Sequence, residues 1–326
     1  TPGLGLPGCG GGGGGGIAGI GGGGIGGTGV TSSGTIDGFG SIFVNGVEYE
    51  TGDSNVVIDG QAASESNLRL GMVVTVRGTI SDDGKTGKAE QVEFDDDVQG
   101  PVSTIEAGVD GDSLLLTVLG VKVIVERTGT VFDNVTFDTL ATGDLIEVSG
   151  FIDQAQRIRA TRIEKKSDFV PGSSEVEVKG NVSGLTATTF NLDTYIIDYS
   201  NADLSGVPGG TLAQGMPVEV HGTLVDNIIV ASRVEKEDDL ASGLDTDEDV
   251  SVQGAVANFV SRENFTVNGL RVNASGALFE PDGLVLANGV VVEVEGVWNG
   301  TTLVAQKVKS RRGRIERIDD RSGQKA

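Results

Sequence analysis

One paragraph of sequence returns four times, and its clearest line is a glycine, an alternating apolar strand and a second glycine seven residues on. The copies run Leu70-Gly71 to Gly78, Ala141-Thr142-Gly143 to Gly150, Leu212-Ala213-Gln214-Gly215 to Gly222, and Leu286-Ala287-Asn288-Gly289 to Gly296. A period of about 70 to 75 residues is too long for a solenoid turn and long enough for a small closed domain, so four tandem domains are expected.

Each copy opens on a glycine and a short apolar strand: Gly34-Thr35-Ile36, Gly100-Pro101-Val102, Gly180-Asn181-Val182 and Gly254-Ala255-Val256. A second strand ends in a tight turn, clearest at Val44-Asn45-Gly46 and Val267-Asn268-Gly269, where Asn-Gly supplies the positive φ angles of a two-residue hairpin. In the glycine-bounded strand Val74/Val76, Ile146/Val148, Val218/Val220 and Val292/Val294 alternate with Thr75, Glu147, Glu219 and Glu293. Period two predicts one buried face and one wet face. Each copy closes with Ala three residues before a β-branched residue: Ala89 and Val92, Ala160 and Ile163, Ala231 and Val234, Ala305 and Val308.

No window shows helical apolar spacing, and glycine or β-branched residues interrupt every candidate. The expected class is all-β: four small OB-like Greek-key barrels, which close on themselves and hide their edges, with a two-sheet sandwich as the alternative. The domain limits read 34–97, 98–170, 174–239 and 248–310, after a Gly-rich segment over 1–33 and before a basic strand or tail over 311–326. Within that tail Gly313-Arg314-Ile315-Glu316-Arg317-Ile318 repeats the opening-strand pattern, as an orphan strand that either folds back on the fourth domain or pairs with another molecule.

Composition narrows the function. A net charge of −23 and a pI near 4.3 oppose nucleic-acid binding, which is driven by Lys and Arg releasing counterions. Three Tyr and one Trp provide no base-stacking platform. No apolar run is long enough to span a membrane as a helix. The single His221 has no Cys or second His to join it and reads as a surface residue on a strand. No Ser-His-Asp set, phosphate loop, metal quartet or aromatic-lined carboxylate pair stands out, so an enzyme is not expected. The five Asn-x-Ser/Thr sequons, at Asn134, Asn181, Asn264, Asn273 and Asn299, read as chance in a chain rich in Thr and Asn.

Acidic runs sit at the domain junctions: Asp95 to Asp97, Glu235 to Asp239, and Asp245 to Asp249. Such runs read first as solvated linkers. Carboxylates at alternate positions, Asp245, Asp247 and Asp249, are the best candidates for a Ca²⁺ that would stiffen a joint.

Residues 10 to 29 are mostly glycine, punctuated by Ile17, Ile20 and Ile25. Alone in water such a tract is a flexible linker. Against a sheet edge it can pair through its main chain while the isoleucines fill apolar pockets, and a three-residue-per-turn extended helix packed on its own copies is the alternative. Leu6-Pro7-Gly8-Cys9 is similar to a lipobox, which would make Cys9 an acylated residue; otherwise Cys9 is a free or intermolecular thiol, and one cysteine permits no internal disulfide.

Taken together, Cys9, the glycine tract and the repeats resemble a family of bacterial envelope and secreted proteins whose repeated β-domain is of unknown function. That resemblance implies export, frequent lipoprotein anchoring and no established enzymatic activity. The expectation is an extracellular or cell-surface structural subunit that assembles head to tail into a fibre with itself, through Ile17, Ile20, Ile25, Ile315 and Ile318. The alternative is a monomeric surface protein whose four barrels, on a stalk, present similar faces to a glycan or another envelope protein.

Overall fold

The computed structural model describes residues 29–311. It is all-β: 24 strands and three single-turn 3₁₀ segments, with no α-helix among the described residues.

Barrel 1 comprises β1 (Val30–Gly38), β2 (Ile42–Val44), β3 (Val47–Glu50), β4 (Asn55–Ile58), β5 (Gln61–Ala63), β6 (Val73–Ile80) and β7 (Thr86–Phe94). Its opening strand pairs with both β2 and β6, β2 with β3, β3 in parallel with β7, and β7 with β6, so the path β1-β2-β3-β7-β6 returns to β1 and closes. The β4–β5 hairpin is an addition, with β4 running parallel to β7.

Barrel 2 repeats the path with β8 (Val98–Ala107), β9 (Ser113–Val118), β10 (Val121–Glu126), β11 (Val131–Asp133), β12 (Asp144–Ile152) and β13 (Ile158–Asp168). Barrel 3 uses β14 (Glu175–Asn181), β15 (Thr189–Leu192), β16 (Tyr195–Asp198), β17 (Pro217–Val225) and β18 (Ile228–Lys236), with a Ser183–Asn191 bridge completing the circuit. Barrel 4 uses β19 (Asp249–Ser261), β20 (Asn264–Val267), β21 (Leu270–Asn273), β22 (Leu278–Glu280), β23 (Val291–Trp298) and β24 (Leu303–Ser310). Closure in every repeat disposes of the sandwich alternative.

The repeated residues are the ones this path needs. Gly71, Gly143, Gly215 and Gly289 all have φ between 81° and 88°, the left-handed turn that delivers the chain into the penultimate strand. The second glycine answers a different demand. Gly78 faces Ala89 while Arg77 faces Gln91, so Glu90 is an extra residue in a β-bulge, and the same shift recurs at Gly150, Gly222 and Gly296 opposite Ala160, Ala231 and Ala305. The bulge draws the strands so close that a Cβ on these glycines would lie 2.1, 2.2, 2.3 and 2.2 Å from the carbonyl oxygens of Lys88, Arg159, Val230 and Val304. The hairpins at Asn45-Gly46 and Asn268-Gly269 have both central residues at positive φ, as the sequence predicts.

The first barrel begins ahead of the expected limit at residue 34. Barrel 1 starts at Val30, because Thr31 to Ser33 extend β1 and pair with Arg77 to Thr75. Cys9, Ile17, Ile20, Ile25, Ile315 and Ile318 lie outside the described residues.

The barrels are not strung on a stalk. Val30–Ser33 of β1 runs parallel to Asp249–Val252 of β19, and Val98 and Gln99 of β8 pair antiparallel with Val178 and Glu177 of β14, so opening strands join barrel 1 to barrel 4 and barrel 2 to barrel 3. Barrels 1 and 2 meet where the Val73 N–H donates to Ser149 Oγ (2.9 Å) and Thr161 Oγ1 donates to the Gly71 carbonyl (2.6 Å). Barrels 1 and 3 meet where Arg233 Nη2 donates to the Asp59 carbonyl (2.9 Å).

This packing corrects the expected wet face. Glu147, Glu219 and Glu293 point out of their own barrels, as the alternation requires, and are nevertheless buried, Glu293 completely. The outside of each barrel is part of the inside of the assembly. Glu293 is held there by Lys309 Nζ (3.0 Å) and Arg311 Nε (2.7 Å). Lys307 pairs with Glu280 at 2.7 Å. Lys307, Lys309 and Arg311 therefore pair with acids of their own chain.

Candidate functional site

Barrels 1, 2 and 3 surround a cleft of about 740 Å³ with a floor of ionisable side chains. Each barrel contributes through a structural device already described. The β4–β5 hairpin turns at Asp59-Gly60, both at positive φ, and delivers Asp59. The link between β7 and β8 delivers Asp96. Outward positions of β12, β14, β17 and β18 deliver Glu147, Glu177, Glu219 with His221, and Arg233 with Glu235. Pairing of β8 with β14 seats Glu177 opposite Gln99 at the seam.

His221, expected at the surface, is only 5% exposed. Its Nε2 lies 2.7 Å from Arg233 Nη2, and because a guanidinium can only donate, Nε2 is the acceptor. The ring proton then resides on Nδ1, which is 3.2 Å from Glu177 Oε2. Glu219 Oε1, 3.4 Å from the proton-free Nε2, receives no hydrogen bond. Arg233 is occupied further by Glu235 (3.2 Å) and by the Asp59 carbonyl (2.9 Å), and Lys166 by Glu147 (2.8 Å) and Glu164 (3.7 Å).

Acids outnumber these bases, and burial sets their protonation. Burial first, then the charges of Glu147 and Asp59, drives the Asp96 carboxyl well above the usual range. Glu177 is driven up by burial and by Asp96 and Glu219. Burial also raises Glu219, but the neighbouring Glu177 carboxyl and the Lys179 ammonium outweigh it and hold its carboxyl below the usual range. Two adjacent carboxylates in a dry site cannot both ionise without a cation, so in its absence Glu177 keeps the proton and Glu219 the charge.

Two sets of three groups bring ligand atoms within 4.8 Å of one another among the described residues: Asp59, Asp96 and Glu177, and Glu177, Glu219 and His221. Asp245, Asp247 and Asp249, the candidates from sequence, form no such set. Asp247 sits in a left-handed turn at φ 67°, its N–H bound to the Trp298 carbonyl, while Asp249 begins β19. Asp95 to Asp97, read as solvated linker, are instead tied into the barrels: the Asp96 N–H donates to Asp59 Oδ1 (3.2 Å) and the Gly150 N–H to Asp97 Oδ2 (2.7 Å).

The site residues missed in the sequence did carry a signal. Glutamate recurs three residues before the second glycine in three of the four copies, as Glu147, Glu219 and Glu293, on a face that needs no acid if it is merely wet. Nothing in one chain, however, tells which outward faces will meet.

A search of curated proteins finds no match. A family model described as a domain of unknown function, DUF5666, matches at residues 28–93, 99–164, 179–235 and 253–309, one match to each barrel. The matched segments make up well over half of the chain, which therefore belongs to the DUF5666 family as a protein of four tandem copies.

Proposed function

We propose that this chain is a non-enzymatic structural subunit on the outside of a bacterial cell, one that builds a fibre by strand pairing between copies. The observation that supports this reading is how its own barrels are joined. Twice within one chain, β1 with β19 and β8 with β14, two barrels are united by main-chain pairing of their opening strands. The same bonds form equally well between chains. Gly313 to Ile318 repeats the opening-strand pattern, and the glycine tract offers a backbone with no side chains to obstruct pairing. Heterologous pairing of this kind extends without closing.

Electron microscopy and light scattering of three proteins test it: the full chain, a chain ending at Arg311, and a chain lacking residues 10–29. Fibres of the full chain that are lost in at least one shortened form are the expected result. Monodisperse monomers from all three would contradict assembly.

A second reading has its own support. The cleft between barrels 1, 2 and 3 is large enough for a sugar or a peptide side chain, with charged walls at Glu164, Lys166 and Arg69. In this reading the chain is a surface binding module, and saturable binding on a glycan array by a monomeric chain would favour it.

A further inference from the structure

We propose that Asp59, Asp96 and Glu177 hold one divalent cation of the hard, oxygen-seeking class, placed on the seam between barrels 1 and 3 and reached through the cleft. An acidic cluster alone would not justify a site. Here Asp96, only 1% exposed, carries an oxygen that the protein leaves unbonded, since its Oδ1 has no hydrogen-bond partner. Buried polar atoms in native proteins are almost always paired, and an unpaired oxygen on a buried carboxyl clustered with two others calls for a positive charge among them. One oxygen from each of the three comes within 4.8 Å of the others, a spacing that a central ion with bonds of about 2.3–2.6 Å can span.

The local cations do not fill this role. Arg233 is committed to His221, Glu235 and the Asp59 carbonyl, Lys166 to Glu147 and Glu164, and Lys179, whose charge is felt at Asp96, pairs with Glu237 at 3.5 Å. The second set of three is weaker, because both nitrogens of His221 are engaged, Nε2 by Arg233 and Nδ1 beside Glu177. An all-oxygen set selects Ca²⁺, Mg²⁺ or Mn²⁺ over Zn²⁺. Access exists, since Asp59 and Glu177 line the cleft, and Asp96 is buried beside them. The bound ion would tie the β4–β5 hairpin of barrel 1 to β14 of barrel 3, a joint independent of any fibre.

The single histidine gives a direct readout. The full chain, stripped with chelator and dialysed, is titrated with CaCl₂ by calorimetry and with MnCl₂ while the His221 ring protons are followed by NMR. One site per chain is expected, with Mn²⁺ broadening the His221 signals and Ca²⁺ restoring them by competition. Asp96→Asn and Glu177→Gln should each weaken binding on the order of 10-fold or more, while Asp247→Asn should leave it unchanged. No saturable binding of either ion to the wild-type chain would overturn the proposal, as would saturable Mn²⁺ binding that leaves the His221 signals sharp. The NMR readout needs only wild-type protein and so stands even if a variant fails to fold.

Discussion

Gly150→Val is expected to unfold barrel 2, with a loss on the order of 3–5 kcal/mol. The first atom of the new side chain would lie 2.2 Å from the Arg159 carbonyl oxygen and 2.8 Å from Ile158 Cγ2. Neither neighbour can retreat cheaply. The carbonyl belongs to backbone fixed in the bulge, and Ile158 is a core side chain with 3% exposure. Relief requires strand β12 to separate from β13, and these are, with β8, the longest strands of the barrel. Chemical denaturation followed by circular dichroism measures the loss. Gly276→Ala is the control, because no atom lies within 4 Å of the place its methyl would take and its φ is not in the left-handed region; a change within about 0.5 kcal/mol is expected there. If Gly150→Val melted like the wild type, the account of the repeated glycine would be wrong.

Asn45→Ala is expected to cost about 2–4 kcal/mol and to loosen barrels 1 and 4 together. The Asn45 side chain reaches across the junction, where Nδ2 donates to the Ser33 carbonyl (3.1 Å) in its own barrel and to the Ser251 carbonyl (3.2 Å) and Oγ (3.0 Å) in barrel 4. All of these groups are buried, so removing the donor strands acceptors away from water. Asn45 also opens the hairpin turn at φ 53°, which alanine adopts less readily. Asn45→Gly separates the two contributions, since glycine keeps the turn and loses only the side-chain bonds; it should recover about 1 kcal/mol of the alanine variant's loss. Hydrogen exchange reports where the effect falls. Faster exchange is expected in β19 and β23 of barrel 4, far along the chain from the substitution, and a response confined to barrel 1 would show that the two barrels are not coupled through this residue.

Much of each barrel was legible because its determinants are local. A left-handed glycine, an Asn-Gly turn and a period of two act within a few residues, and the pairing of Gly150 with Ala160 spans a single hairpin. The relation between barrels was not legible, for a physical reason. Alternation at Val218, Glu219, Val220 and His221 states which side chains point into the barrel and which point out, but whether outward means water depends on a second barrel arriving. His221 and Glu219 therefore read as surface residues and lie buried. Asp95 to Asp97 read as linker because runs of like charge repel one another and solvate; here the Lys179 and Lys166 ammonium groups and the Gly150 N–H, brought by barrels 2 and 3, offset that charge. Conversely, Asp245, Asp247 and Asp249 have the composition of a cation site, yet Asp245 and Asp247 lie in the turn before β19 and Asp249 in its first position, and their ligand atoms do not converge.

Solution X-ray scattering on residues 29–311 tests most directly the claim that opening-strand pairing gathers four barrels into one block. A compact particle of this length has a radius of gyration of about 19 Å, whereas four barrels in a row would give roughly 30 Å. The account predicts the smaller value, unchanged on dilution; a value near the larger one would show that β1 and β19, and β8 and β14, do not hold the barrels together.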